Sequence, residues 1–219
     1  MTELLKLDAA DARDCDNKNL VQWFNHSTEK HEMTILHDDG LYRHLHFADP
    51  ANSIYWFDLI TWPGSLTIKG DMGTWTFSRL TDMFEFFTGY INTSYWAEKL
   101  DNGTEGGRRC AREYDDEAFK KWLVRDFWET SRDMESHRIV TDWWNTLREE
   151  FFSCYGSWRD DSNTAIRQIY DLEVPRLVAE HYQDVYESSG SWEPYTSHFE
   201  WCLAAIVAGI STYNQHKES

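Results

Sequence analysis

His44 and His46 carry the sharpest chemical suggestion in this chain. They sit in Leu41–Phe47, where apolar and polar residues alternate, and a strand turns every second side chain to the same face. Both imidazoles then stand together, as two ligands of a zinc or manganese ion would. Asp38, Asp39 and His37 lie just before them, and Asp58 and Asp71 follow. The chemistry on offer is metal-assisted hydrolysis of a nucleotide or nucleic acid, using His44 and His46 with Asp58 or Asp71. Spacing selects no third ligand. No His-Glu-x-x-His is present, and His37-Asp38 precedes a strand, not the helix that a metal-binding His-Asp pair of helical phosphohydrolases needs. The competing reading is two ordinary histidines on a half-exposed sheet face.

Other motifs offer less. Gly70-Asp71-Met72-Gly73 lacks the Lys-Ser/Thr and the following helix of a phosphate loop, so it reads as a hairpin turn. No Gly-x-Ser-x-Gly elbow is present. Cys15, Cys110, Cys154 and Cys202 form no Cys-x-x-Cys pair, which argues against zinc and redox motifs. Cys154 and Cys202 fall on apolar stripes, where cysteine behaves as a small hydrophobe. No cofactor motif is found. Asn92-Thr93-Ser94 and Asn102-Gly103-Thr104 match the glycosylation pattern, which has meaning only in a secreted chain.

Charge says more about partners. The chain has 219 residues, with 38 Asp and Glu against 21 Lys and Arg, a net charge of -17. Such a field repels nucleic acid and anionic membrane surfaces, and it attracts basic proteins. Solubility alone is the bland account of the same number. The acids that begin helices, Asp115-Asp116-Glu117 and Asp160-Asp161, are the candidate partner-binding residues. Trp128-Glu129 and Trp158-Arg159-Asp160-Asp161 are candidate aromatic anchors, because Trp and Tyr dominate binding hot spots. Met1–Leu20 places Asp8, Asp11, Asp14 and Asp16 where a leader peptide needs an apolar core, so a cytoplasmic location with reduced cysteines is expected. The longest apolar run, Trp201–Ile210, is about half of what a membrane helix requires and reads as a core helix.

These residues need elements to hold them. Residues 1–36 read as an acidic lead-in with a short helix carrying Val21 and Phe24. His37–Gly40 reads as a turn. Strand patterns follow at Leu41–Phe47, Ile54–Trp62, Ser65–Lys69 and Thr74–Ser78, joined by turn chemistry at Pro63-Gly64 and Gly70–Gly73. After Arg79 the apolar period becomes helical. Thr81 caps a helix with Met83, Phe84, Phe86 and Phe87, and a short helix covers Tyr95–Leu100. Asn102–Gly107 is a loop. Longer stripes run through Phe119, Leu123 and Phe127; Val140, Trp143, Leu147 and Phe151; Ile166, Ile169 and Tyr170; and Leu177, Val178, Tyr182 and Val185. Ser188–Pro194 is a loop, and Ser197…Glu200 is a capping box opening the last helix. The expectation is one α+β domain over 1–219: a lead-in (1–36), an antiparallel β-meander of about four strands (37–80) and a C-terminal helical layer (81–219).

The run from Met33 to Leu45, with Tyr55–Gly64, Gly70–Gly73, Phe77-Ser78-Arg79, Asp82–Phe87, Ser94–Lys99 and His198–Cys202, resembles a widespread family of uncharacterised bacteriophage and prophage proteins. The likeness covers roughly residues 31–100 and the last helix. It carries no established activity and hence no catalytic residues. What it implies is a mobile-element product in a bacterial cytoplasm. Small acidic proteins of that setting often inhibit host defence, as anti-CRISPR proteins and DNA mimics do. The implied partner is a basic, nucleic-acid-handling host protein, with carboxylates standing in for phosphates. A virion or assembly component is the further alternative.

Overall fold

The computed structural model describes residues 5–13, 15, 17–101, 108–152 and 156–219, with the side chains of Arg108 and Arg109 excepted. Asp14, Asp16, Asn102–Gly107 and Cys154 lie outside the described residues. The chain is α+β and forms two compact units, Met1–Ala111 with Tyr195–Ser219, and Arg112–Pro194. In chain order the first unit holds α1 (Leu20–Ser27), β1 (Glu32–Asp39), β2 (Tyr42–Asp49), β3 (Asn52–Trp62), β4 (Ser65–Gly70), β5 (Gly73–Ser78), α2 (Met83–Phe86) and α3 (Thr93–Ala97). The second holds α4 (Asp116–Ser131), α5 (His137–Phe151), α6 (Ser162–Tyr170) and α7 (Arg176–His181). Helix α8 (Ser197–Glu218) belongs to the first.

The sheet is an antiparallel meander of order β1-β2-β3-β4-β5. Four of its strands follow the sequence pattern. The fifth, β1, is an addition, and His37–Asp39, read as a turn, continue it; the reversal is made by Gly40 and Leu41. Asp38 is held in strand geometry because its carboxylate accepts from the Tyr213 hydroxyl at 2.8 Å and from Lys217 at 2.9 Å.

Alternation divides the sheet into two faces. Leu45, Phe47, Phe57, Leu59, Leu66, Ile68 and Phe77 point inward and are buried. Each such side chain contributes about 1.5–3 kcal/mol when fully withdrawn from water. Helix α8 covers them. Phe199 meets the Trp75 ring edge at 5.0 Å, and Trp201 meets Phe57 at 5.8 Å and Phe24 of α1 at 5.2 Å. Contact is close at Gly209, where a Cβ would lie 2.7 Å from Leu59 Cδ1 and 3.1 Å from Phe47 Cζ. The outward face carries Tyr42, His44, His46, Trp56, Asp58, Thr67 and Lys69. The Thr67 and Thr76 hydroxyls bond across it at 2.9 Å.

Two helix starts differ from the sequence reading by one residue. Asp82, not Thr81, caps α2: Arg43 grips its carboxylate at 2.8 and 2.9 Å while one oxygen accepts the Phe84 N–H. That pair draws the Asp82 carboxyl below its ordinary range. Thr196, not Ser197, caps α8 by accepting the Phe199 N–H. Glu200, buried, accepts the Asn17 N–H at 3.1 Å and ties the N-terminal segment to α8.

The second unit has its own aromatic core around Phe119, which touches Phe151 at 5.4 Å, Trp158 at 5.7 Å and Trp192 at 5.3 Å. Leu123, Phe127, Trp143, Leu147, Ile166, Ile169, Val178, Tyr182 and Val185 complete it. Tyr170 and Leu177, read as inward, are 51% and 57% exposed. Each lies one residue beside a buried neighbour, about 100° round the helix from it. Ser188–Pro194, read as a loop, includes a 3-10 turn that carries Trp192 into the core, where its indole N–H donates to Ser162 at 2.9 Å.

Gly209→Ala should lower stability by about 1–3 kcal/mol in a denaturant melt, since Leu59 and Phe47 are fully buried and have no room to yield. Leu59→Ala in the same chain should make the glycine change cheaper than it is alone. Purely additive costs would show that the close approach is not tight.

Candidate functional site

On the outward face, β2 and β3 bring His44, His46 and Asp58 together, as their spacing allows. His46 pairs in register with Asp58. Its Nδ1 lies 2.6 Å from Asp58 Oδ1, and His44 Nε2 lies 3.3 Å from Oδ2. The carboxylate thus sits between the rings. Asp58 accepts from His46 Nδ1–H, which leaves Nε2 as the ring nitrogen open to another partner. His46 bonds the carboxylate, whereas His44 Nε2 approaches it without a hydrogen bond, and among the described residues no group of three His, Cys, Asp or Glu is placed to hold a metal ion. The other acids of this reading lie elsewhere: Asp38 faces α8, Asp39 pairs with Tyr42 in register, and Asp71 accepts the Tyr55 N–H at 2.7 Å.

Next to His46 the sheet opens into a groove. The ladder between β2 and β3 runs to Phe47↔Phe57 and resumes at Asp49↔Asn52. Between those pairs β2 supplies only Ala48, whereas β3 supplies Ser53, Ile54, Tyr55 and Trp56. The surplus chain bulges outward and walls the groove with His46, Ala48, Asp49, Asn52, Ser53 and Trp56. Tyr55 takes a left-handed φ of 62°, a strained setting for an aromatic residue. Several contacts hold it there. Asp71 takes its N–H, His31 bonds its carbonyl at 3.0 Å, and its ring stacks on Trp201 at 5.7 Å. Gly70 makes the bulge possible: a Cβ there would meet the Trp56 carbonyl oxygen at 2.1 Å. The Gly70–Gly73 hairpin, legible only as a turn, is the clamp that turns Trp56 into the groove.

The acidic runs of the second unit also converge. Asp115 caps α4, accepting the Glu117 and Ala118 N–H groups at 2.9 Å each. Asp116 pairs with Arg159, and Glu117 with Lys120. Asp161 caps α6 through the Thr164 N–H and hydroxyl, which lowers its carboxyl below the usual range. Asp160 is exposed. The Tyr114 hydroxyl, donated to the Trp158 carbonyl, is pushed well above its ordinary value by burial and then by Asp116 and Asp161, so both runs share its surroundings. Of the proposed anchors, Trp158 is core beneath Phe119 and Phe151, whereas Trp128 is 65% exposed.

A second acidic cluster was not legible in sequence. Glu149 and Glu150 in the last turn of α5 share a groove with Gln168 of α6 and with Asp171 and Glu173 just beyond it. Gln168 donates to Glu150 at 2.9 Å. Among the described residues, none of these four acids pairs with a cation. Helix C-termini carry partial negative charge, so carboxylates there oppose the helix dipoles. Acids at helix starts are explained by capping; these are not.

No protein-family model, no curated protein and no solved structure matches the chain. Among the described residues no helix is long and apolar enough to cross a membrane.

Gly70→Ala should cost about 2–3 kcal/mol or more, because the obstacle is backbone, and it should shift the Trp56 indole resonance. His31 provides a pH test. It is 6% exposed, and burial pushes its pKa below the ordinary value despite its bond to the Tyr55 carbonyl. The unfolded chain takes up a proton as pH falls through about 6.5, and the folded chain does not until lower pH. Stability present at pH 7 should therefore diminish towards pH 5. The fall in melting temperature should be smaller in His31→Gln; an unchanged fall would place the effect elsewhere.

Proposed function

We propose that the protein is a binding inhibitor of a nucleic-acid-handling protein, of the counter-defence kind its phage-protein resemblance implies, and that it acts as a partial mimic of DNA. The supporting observation is the groove of Glu149, Glu150, Asp171 and Glu173. Among the described residues its four carboxylates pair with no cation, and they stand at two helix ends where local energetics favour lysine or arginine. A basic partner surface supplies the missing charge, as it would to a row of phosphates. The capping acids Asp115 and Asp161 and the paired Asp116 and Glu117 add field around the docked partner, while their hydrogen bonds stay committed to the fold. Contacts of this type form quickly and weaken with salt.

The test begins with a bacterial protein recovered on the immobilised chain at low salt. Its affinity should drop at least about tenfold between 50 and 300 mM salt. Double-stranded DNA should compete for the same partner. The quadruple variant Glu149→Gln, Glu150→Gln, Asp171→Asn, Glu173→Gln should bind at least about tenfold more weakly, a loss of about 1.4 kcal/mol. Its melting temperature should hold or rise, since unfavourable charges leave the helix ends. Recovery of no specific partner at low salt, or DNA and this chain bound to the partner together, would count against the proposal.

A further inference from the structure

We infer that the groove beside the β3 bulge is a binding site for a guanidinium group, presented as an arginine side chain of a protein partner. The argument is one of matched chemistry. Trp56 supplies a partly exposed indole face, tilted 37° to the His46 ring with centroids 6.1 Å apart. Planar cations stack on such a face. His46 supplies a polar ring edge at Nε2, because Asp58 holds Nδ1 at 2.6 Å. Asp49 supplies charge: one carboxylate oxygen accepts the Ala51 N–H at 2.8 Å, and the other has no partner among the described residues.

A π face beside a carboxylate with an unpartnered oxygen calls for a flat ligand rich in donors and bearing positive charge. Guanidinium has five N–H donors in one plane and no acceptor. An ammonium is a point charge and leaves the flat surface unused. A phosphate-bearing ligand meets Asp49 and a net charge of -17. That same field draws a basic protein, which is why the arginine is assigned to a macromolecular partner. The site is built, not incidental: the strained Tyr55, the Asp71 bond to its N–H and the close fit at Gly70 all serve to place Trp56. It lies in the first unit and draws on none of the four carboxylates of the α5–α6 groove, so either assignment can fail alone.

The full chain is titrated with a short capped peptide carrying one arginine, with its lysine and citrulline counterparts, and with adenosine, while the Trp56 indole and His46 ring NMR signals are followed. The arginine peptide should shift both saturably. The lysine peptide should bind at least about fivefold more weakly, and citrulline, flat but uncharged, should leave them unmoved. Asp49→Asn and Trp56→Leu should each weaken arginine binding about tenfold with the fold intact. The inference is overturned if neither signal moves saturably up to about 10 mM peptide, if citrulline or lysine matches arginine, or if adenosine binds more tightly. It is also overturned if both folded variants bind as the parent does.

Discussion

The contact that organises the first unit is the approach of α8 to the inner sheet face, with no room for a side chain at Gly209. A meander is made of local pairings, but it cannot bury a face by itself. Here the covering helix begins at Ser197, more than a hundred residues after the last strand ends at Ser78. Hydrogen bonds at both ends of the helix register it. Asn17 meets Glu200 near its start, and Asp38 meets Tyr213 and Lys217 near its finish. Once that face is committed, strand alternation leaves His44, His46, Trp56 and Asp58 facing outward. The groove chemistry is thus decided by a helix that touches none of its side chains through hydrogen bonds.

Gly70 and Asp71 show how a short turn motif acts at a distance in the ladder. A two-strand ladder without a surplus would place Trp56 in a flat row with His46 and give no concavity. The bulge costs strain at Tyr55, of order 1–3 kcal/mol for a residue held at positive φ. Asp71, His31 and Trp201 offset it by engaging the N–H, the carbonyl and the ring of the same residue. A strained aromatic fixed from several sides is a feature the local sequence would not adopt by itself, and it borders the groove.

Much of the sheet was legible because alternation is a strong signal where one face is buried and the other wet. β1 was not, since its register shifts between Ile35 and His37 and breaks the period. Asp-Gly at its end then reads as the reversal itself. The two caps were missed by one residue for a common reason: Thr, Asp and Ser stand side by side, and a tertiary partner such as Arg43 selects among them. His44, His46 and Asp58 could be placed on one face from spacing, but not the bond direction that turns the His46 ring to the carboxylate. The division at Arg112 and Pro194 follows two loops legible in the sequence, Asn102–Gly107 and Ser188–Pro194, but loops of that kind do not by themselves show that the helices between them form a separate unit. Backbone pairs mark it instead, Thr196 to Ala111 in the first unit and Glu113 to Pro194 in the second. Trp158 reads like an anchor because its neighbours are charged, yet it is buried, since Arg159 and Asp160 can reach water from a short 3-10 turn while the indole turns inward.

Net charge by itself locates nothing. Residues 112–194 hold 19 of the 38 acidic residues and 10 of the 21 basic ones, so the two units carry nearly equal net charge although the second is the shorter. What distinguishes one carboxylate from another is its place relative to helix ends. Asp115 and Asp161 sit where free N–H groups welcome an anion, and removing either exposes donors that the fold needs filled. Glu149, Glu150, Asp171 and Glu173 sit at the opposite pole, where a carboxylate raises the energy of the isolated chain. Arg148 and Arg167 in the same last turns temper that cost; on the proposed reading a cation from a partner removes the rest of it, because each charge unfavourable in the free protein then strengthens contact with a basic surface.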